Sequence, residues 1–455
     1  MSRSYEFIAT AFWNSLIPAP LGTKSEDLVL GRVVGGAQSG QELRLSGLER
    51  REHVAVLGKT GSGKSSLLLS LCAQDVAAGR GFVFFDLHGD SMRHITAFIS
   101  QLERCTGDDL AARLVVVNPS DREWAVGLNV LDAKDEHDRF VRVAEIVRVL
   151  KRRWQLDTLG ARTEELVRNG LLILMDSGLT LLELGPLLIS DRFREQALRR
   201  ARPGEAKQYF VHRYNRVSDA MRVLMREAVL NKLSAYTADP HFRHTLGQQS
   251  SMSWERVLRD GLWVVVCLEK GRLGDEAATI GSLFLSGLKN ALFARSSSEL
   301  FTLYCDELHN LVAYDDALES LFAEARKFGV SVCSANQYLD QYPAVMQAAL
   351  LAAGTHAFFR LSAPDAERIA HMHGGAGRLA DTLRGLAQRH YLLRRGPDLL
   401  RNLVAPDVRV SAHADSDLYE RSMQRWAKRR ADVEDEIVAR SSGFGLGRKD
   451  LSDWE

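Results

Sequence analysis

Eight residues near the start of the chain have the types and spacing that bind phosphate. Residues 58–65 read Gly-Lys-Thr-Gly-Ser-Gly-Lys-Ser and match the pattern GxxxxGK followed by Ser or Thr. Glycines let a backbone wrap around a phosphate with its N–H groups pointing inward, and a helix beginning at Lys64–Ser66 adds the positive end of its dipole. We expect Lys64 to reach the β- and γ-phosphates and the Ser65 hydroxyl to ligate Mg²⁺. The predicted phosphate-binding residues are Gly58, Lys59, Thr60, Gly61, Ser62, Gly63, Lys64, Ser65 and Ser66.

Two carboxylates follow an apolar run much further along the chain. The run Phe301–Cys305 leads directly into Asp306 and Glu307. Alone, this pattern is common at solvated strand ends, but beside a phosphate-binding loop it indicates the Walker B arrangement. We expect Asp306 to hold Mg²⁺ through water, and Glu307 to orient or deprotonate the attacking water.

Polar residues end two other apolar runs. Asp86 closes the run Gly81–Asp86, and Gln337 follows Val330–Ser334. Because the carboxyl ends of parallel strands line the ligand crevice, Asp86 is predicted to be a second acidic group near the γ-phosphate. Gln337 is predicted to sense that phosphate or to position water. Loop capping by Asp86 and helix capping by Gln337 are the alternative explanations.

Arg326 lies at the end of a predicted helix that follows the two carboxylates. Cations at helix C-termini are electrostatically favoured, which is one explanation for this residue. The other is an arginine finger that enters the nucleotide site of a neighbouring subunit. Arg360, near the end of a later strand, is a weaker candidate for the same role.

The elements that must position these residues alternate between two kinds. Short, continuously apolar runs separated by helical stretches predict a parallel sheet covered on both faces. Between 135 and 247 the apolar residues recur at three- and four-residue spacing, which predicts an all-helical insertion. The predicted organisation is an N-terminal segment with a β-hairpin (1–50), a P-loop ATPase domain in two parts (51–134 and 248–405) around an all-α insertion domain (135–247), and a C-terminal charged helix, about 416–440, with a tail (406–455).

Composition narrows the class of protein. The chain has 455 residues, 59 basic and 58 acidic side chains and a formal net charge of +1. A hydrophobic fraction of 45% excludes a disordered protein, and the balanced charge excludes a non-specific nucleic-acid coat. Five cysteines without a CxxC pair indicate reduced thiols in a cytosolic protein.

Taken in order, these motifs resemble the HerA/FtsK superfamily of ring-forming ATPases. Within it, the chain is most similar to the TraG/TraD-like coupling proteins of conjugative and type IV secretion systems. The resemblance runs from about Asp27 to His373 and is carried by GKTGSGKS (58–65), FFDLHGD (84–90), CDELHNL (305–311) and AEARKFGVSVCSANQYLDQ (323–341), among others.

The resemblance implies a fold, a reaction and partners. The fold would be α/β, a RecA-like P-loop NTPase domain with a mainly parallel sheet, interrupted by the all-α insertion. The protein would be a homo-hexamer that uses ATP and Mg²⁺ to pump DNA, whose strandedness stays open. Asp86 matches the family's acidic residue, Gln337 its motor-site glutamine and Arg326 its arginine finger.

Two alternatives and one departure from the family accompany this interpretation. The alternatives are a HerA-like DNA motor partnered with a nuclease in repair or phage defence, and a secretion ATPase that acts on protein. The partner is accordingly a relaxase or secretion complex, or a nuclease. Because no run of 18 apolar residues precedes the P-loop, unlike in membrane-anchored coupling proteins, we expect no direct membrane insertion. The expected location is cytoplasmic, with peripheral docking at a membrane complex left open.

Overall fold

Apolar strands of the α/β part lie in one extensive sheet in the computed structural model. The structure describes residues 26–154, 160–249, 252–274, 276–307, 309–312, 317–375, 377–396, 400–406, 408 and 416–443. Its strands are β1 Leu28–Val33, β2 Glu42–Leu45, β3 Val54–Leu57, β4 Phe82–Asp86, β5 Leu114–Val117, β6 Trp124–Ala125, β7 Trp263–Cys267, β8 Phe301–Asp306, β9 Val330–Asn336, β10 Thr355–Phe358, β11 His390–Arg395, β12 Arg401–Val404 and β13 Lys428–Arg429.

The main sheet is mostly parallel. Among the described residues it has eleven strands in the order β2-β1-β12-β11-β10-β3-β9-β8-β4-β7-β5. From β10 to β7 each neighbouring pair is parallel, whereas β11, β12, β1 and β2 add antiparallel pairs beyond β10. Every residue of β3, β4, β7, β8 and β9 is buried, as expected of a sheet covered on both faces.

The predicted β-hairpin near the N-terminus is part of this sheet. β1 and β2 pair with each other, and β1 continues into the sheet through β12. The segment predicted at 1–50 is therefore not separate from the ATPase domain over residues 28–45, whose strands β1 and β2 belong to the main sheet. Residues 1–25 lie outside the described part of the chain.

Helices make up most of the remaining described residues. The α-helices are Gly47–Arg50, Lys64–Ala77, Asp90–Thr106, Glu136–Trp154, Ala161–Asp176, Leu184–Ile189, Asp191–Arg200, Glu205–Gln208, Asp219–Thr237, Pro240–Leu246, Trp254–Asp260, Lys270–Leu273, Glu276–Ala294, His309–Val312, Ala317–Glu324, Ala344–Leu351, Ala363–Met372, Gly377–Gly385, Ser416–Trp426 and Arg430–Gly443. Tighter 3₁₀ turns include Ala325–Phe328 and Leu339–Gln341.

The chain divides into two compact units. An α/β unit comprises Met1–Val116, Glu255–Glu269 and Ala291–Ser422, and a helical unit comprises Val117–Trp254, Lys270–Asn290 and Met423–Glu455. The predicted insertion, 135–247, falls within the first segment of the helical unit. In that unit the buried Glu145 carboxylate accepts hydrogen bonds from Ser286 (2.7 Å) and Asn290 (2.5 Å), so these contacts join Lys270–Asn290 to the insertion.

The predicted single C-terminal helix is wrong in one respect. Two helices, Ser416–Trp426 and Arg430–Gly443, flank strand β13. Lys428 and Arg429 pair with β6, and the Arg429 guanidinium lies 4.1 Å from the centre of the Trp124 ring. This pairing takes backbone groups that a continuous helix would have used, so the helix breaks there. The tail from 444 onward lies outside the described residues.

One helix among the described residues is long and apolar enough to cross a membrane by length and composition. It is Glu276–Ala294, with a mean hydropathy of 1.2 over its best window. Of that window, 72% is buried within the fold, so the apolar side of the helix faces other protein residues.

Candidate nucleotide-binding site

The phosphate-binding loop connects β3 to the helix Lys64–Ala77, as predicted. Gly63 has a φ of 114°, and a Cβ there would lie 3.1 Å from the Cα of Arg389. Arg389 itself has a φ of 68° and donates its backbone N–H to the Ser62 carbonyl at 2.7 Å. Only glycine suits position 63, because it needs both a left-handed φ and a close backbone neighbour.

Lys64 is held at the start of its helix with its ammonium turned toward the loop. The side chain is buried, and Nζ donates to the Lys59 carbonyl at 3.2 Å. Burial lowers the pKa of Lys64, and the nearby carboxylates of Asp306 and Glu307 oppose that shift. The site therefore places the Lys64 ammonium within reach of a bound phosphate, near the carboxylates of Asp306 and Glu307.

Asp306 meets the loop from the end of β8. Its Oδ2 accepts a 2.5 Å hydrogen bond from the Ser65 hydroxyl. Asp306 is 5% exposed, and no hydrogen-bond partner among the described residues reaches its Oδ1. Burial raises the pKa of Asp306, while the Ser65 hydrogen bond opposes the shift. A buried carboxylate oxygen without a partner, next to a hydroxyl, is a donor set that fits Mg²⁺.

Glu307 follows Asp306 in a strained conformation. Its φ is 58°, a region that non-glycine residues rarely adopt away from functional sites. Oε1 accepts a 2.7 Å hydrogen bond from Nε2 of Gln337, and Oε2 lies 3.3 Å from Nδ1 of His309. β9 extends to Asn336, two residues beyond the prediction, so Gln337 stands directly at the strand end.

Asp86 lies at the same edge of the sheet but has other contacts. Oδ1 accepts backbone hydrogen bonds from His88 (3.3 Å) and Gly89 (2.9 Å), and Oδ2 accepts one from Met92 (2.9 Å). Burial raises the pKa of Asp86, and these backbone donors oppose the shift. These contacts hold the loop at 88–89 and the first turn of the helix Asp90–Thr106, which fits loop capping, the alternative explanation for this residue.

Arg326 lies at the opposite edge of the sheet from the site. It belongs to the turn Ala325–Phe328, which precedes β9, whereas Gln337 follows that strand. The seven residues of β9 span about 20 Å at the usual rise per strand residue. Arg326 is 65% exposed and forms a 3.0 Å ion pair with Glu52. The helix predicted to end near Arg326 ends as α-helix at Glu324, and this tighter turn follows it.

The structure thus brings together the loop 58–65, Asp306, Glu307 and Gln337, and leaves Arg326 apart from them within one chain. The sequence interpretation missed His309 and Arg389. His309 stands within the motif CDELHNL, two residues after Glu307, and that spacing could have indicated it. Arg389 belongs to no motif. It lies far from the loop along the chain, so no local spacing could have indicated their contact.

A comparison with protein families relates one part of this chain to a known group of P-loop ATPases. The family model "Helicase HerA, central domain" matches residues 28–168. The matched HerA-type segment includes the whole phosphate-binding loop, and it confirms the resemblance to this group of P-loop ATPases. A shorter segment of 73 residues is 33% identical to the type 4 coupling protein DotL of Legionella pneumophila, covering 16% of this chain and 9% of DotL.

Solved structures extend the likeness beyond the HerA-type segment. The plasmid coupling protein TrwB with a GTP analogue has a TM-score of 0.59 at 16% identity, over 84% of this chain and 91% of that chain. TrwB with ADP and Mg²⁺ has a TM-score of 0.57 at 15% identity, over 89% and 94%. VirB4 of Thermoanaerobacter pseudethanolicus has a TM-score of 0.58 at 15% identity, over 86% and 98%. These likenesses confirm the predicted RecA-like α/β fold class.

Proposed function

We propose that this chain is an ATP-dependent DNA translocase that resembles a conjugative coupling ATPase. The observation that carries the proposal is the convergence of Lys64, Ser65, Asp306 and Glu307 at one sheet edge, with Ser65 hydrogen-bonded to Asp306 at 2.5 Å. These are the groups that ATP hydrolysis needs: a cation for the phosphates, ligands for a metal and a carboxylate for water.

Each residue has a defined task in this proposal. Loop N–H groups and Lys64 bind the β- and γ-phosphates of ATP, while Ser65 and Asp306 hold Mg²⁺, which neutralises phosphate charge when bound. Glu307 takes a proton from water as the water oxygen bonds to the γ-phosphorus and the bond to the departing ADP breaks. Gln337 turns from Glu307 to the γ-phosphate. Asp86 assists by fixing the segment that it caps.

The proposed assembly is a homo-hexamer with nucleotide between subunits. Arg326 supports it, because this exposed arginine lies at the sheet edge opposite its own phosphate-binding loop. A neighbour in a ring can receive such a side chain, and an arginine supplied to a phosphoryl-transfer site increases turnover by about 10³-fold or more.

DNA is the proposed substrate because the names of the similar proteins point to it. TrwB is a plasmid coupling protein of bacterial conjugation, and the matched family is that of a helicase. The test is ATP turnover by the purified chain with and without single- or double-stranded DNA, with Lys64→Ala as the inactive control. Stimulation of the wild type by either DNA supports the proposal, and equal turnover with and without DNA contradicts it.

Two alternative functions share the proposed ATP hydrolysis and differ in the partner of the ATPase. The HerA family match favours a DNA motor that works with a nuclease. The similarity to the coupling protein DotL and to VirB4 favours a secretion ATPase, docked peripherally at a membrane complex and acting on protein. Recovery of a nuclease, or of a relaxase or secretion subunit, with the tagged chain from its own cells separates them.

A further inference from the structure

Two side chains approach the oxygens of Glu307 from different sides, and the proposed mechanism uses only Gln337 of the two. Gln337 donates to Oε1, and Nδ1 of His309 lies 3.3 Å from Oε2 on the other side of the carboxylate. If Gln337 leaves to contact phosphate, His309 remains beside Oε2 of this carboxylate. Its protonation pattern then decides whether it can hold Glu307 in place.

The contacts of Gln341 settle which nitrogen of His309 carries the proton. The backbone N–H of Tyr338 donates to Oε1 of Gln341 at 3.2 Å, which fixes the orientation of that amide. Its Nε2 therefore faces Nε2 of His309, 3.4 Å away. An amide nitrogen can only donate, so Nε2 of His309 accepts and Nδ1 carries the hydrogen. Nδ1 lies 3.3 Å from Oε2 of Glu307, but its N–H is not aligned as a hydrogen bond to that oxygen in this conformation.

Packing holds this imidazole in position. The rings of His309 and Tyr342 form a T-shaped pair with centroids 6.3 Å apart, and the buried Tyr342 hydroxyl donates to Asn336 at the end of β9. Gln341 belongs to the turn Leu339–Gln341, which directly follows Gln337 and begins beside Tyr338, whose side chain is 38% exposed. Residues 338–342, hereafter the relay segment, thus connect Glu307 to the protein surface.

We propose that His309 is a positioning residue for Glu307, and that the relay segment controls it through Gln341. This inference rests on the proposed ATP hydrolysis. Once Gln337 has turned away, a small rotation aligns Nδ1–H of His309 with Oε2, 3.3 Å away, and this hydrogen bond anchors the carboxylate while Oε1 accepts a proton from water. A shift of the relay segment removes the partner of Nε2, releases the imidazole and leaves Glu307 misaligned.

Three substitutions at position 309 test the anchor. His309→Ala should lower kcat for ATP by about tenfold to a hundredfold, the usual effect of a small misplacement of a reacting group. KM for ATP and the affinity for a fluorescent ATP analogue should stay within about twofold, because His309 does not bind phosphate. His309→Asn, which keeps an amide donor near the Nδ1 position, should recover most of kcat, and His309→Gln should not.

Gln341→Ala tests the relay segment and should lower kcat less than His309→Ala does. His371→Ala, an exposed histidine on the helix Ala363–Met372, is the matched control and should match the wild type. Wild-type kcat in His309→Ala, or equal rescue by Asn and Gln, overturns the inference. If Glu307→Gln abolishes turnover while His309→Ala does not, only this inference fails; if the wild type does not hydrolyse ATP, the proposed function fails and takes the inference with it.

Discussion

The hydroxyl of Ser65 donates a 2.5 Å hydrogen bond to Oδ2 of Asp306, a residue 241 positions later in the chain. The first turn of the helix after the phosphate-binding loop is thereby fixed to the end of β8, although β9 lies between β3 and β8 in the sheet. A hydroxyl and a carboxylate that already touch need little rearrangement to share one Mg²⁺, so this part of the site is preorganised.

The first prediction concerns the metal ligands. Asp306→Asn should reduce ATP turnover by about a hundredfold or more, and Ser65→Ala should raise the Mg²⁺ concentration needed for half-maximal turnover. Because burial disfavours the charged form of Asp306, Asp306→Asn should also raise Tm without nucleotide. ATPase titrations with Mg²⁺ and thermal unfolding measure both effects. Asp381→Asn, an exposed residue on the helix Gly377–Gly385, is the control, and a fall in Tm for Asp306→Asn would indicate a structural carboxylate instead.

The second prediction separates binding from chemistry at Glu307. Glu307→Gln keeps the size of the side chain and removes the base, so kcat should fall by about 10²-fold to 10⁴-fold, while the Kd for ATP changes little. Gln337→Ala should lower kcat less, because the carboxylate remains. Single-turnover hydrolysis and equilibrium nucleotide binding distinguish the two steps. Retained turnover in Glu307→Gln would remove this residue as the base.

Much of the site could be predicted because its geometry is local. The loop 58–65 specifies its own turn, and Asp306, Glu307 and Gln337 stand at carboxyl ends of parallel strands, which must meet at one edge. Sequence spacing could not reveal the contact of Arg389 with Ser62, since it joins segments over 300 positions apart. Local spacing also failed at β13, where tertiary pairing overrides helical periodicity.

The third prediction asks whether Asp86 caps or catalyses. Three backbone N–H groups donate to the two carboxylate oxygens of Asp86. Asp86→Asn replaces one of these acceptors with an NH₂ group, so it should lower the free energy of unfolding by about 1–3 kcal/mol. Its kcat should fall far less than that of Glu307→Gln. Chemical denaturation and steady-state ATPase assays give the two numbers. Unchanged stability with a loss of kcat equal to that of Glu307→Gln would show a catalytic carboxylate.

The fourth prediction concerns pH and His53, a buried residue before β3. Val332 donates its N–H to Nδ1 at 3.1 Å, and Nε2 lies 3.1 Å from the Phe322 carbonyl, so the neutral ring is fully bonded. Burial lowers the pKa of His53 to about 4, and the Phe322 carbonyl opposes the shift. Between pH about 6.5 and 4 the unfolded chain binds a proton that the folded chain does not, so stability falls as pH falls, by about 3 kcal/mol for this group.

Unfolding of His53→Asn across that pH range checks the fourth prediction. Asn accepts the positive φ of 69° at this position, so the backbone is preserved. The variant should start less stable at pH 7.5 and lose less stability on acidification. His356, whose pKa burial also lowers to about 4, should supply the remaining slope. An unchanged pH slope in His53→Asn would mean that His53 is already charged in the folded chain.

The fifth prediction is that Arg326 acts on the nucleotide of a neighbouring subunit. Arg326→Ala should reduce turnover by about 10³-fold without weakening ATP binding in its own subunit. Lys327 is the exposed neighbour of Arg326, and Lys327→Ala should leave turnover unchanged. Arg326→Ala and Lys64→Ala subunits should each be inactive alone. Mixed rings contain sites that pair an intact Lys64 with an intact Arg326 from the adjacent subunit, so mixing should restore part of the turnover. Verified mixed rings without any recovery would place Arg326 outside the reaction and leave its ion pair with Glu52 as its role.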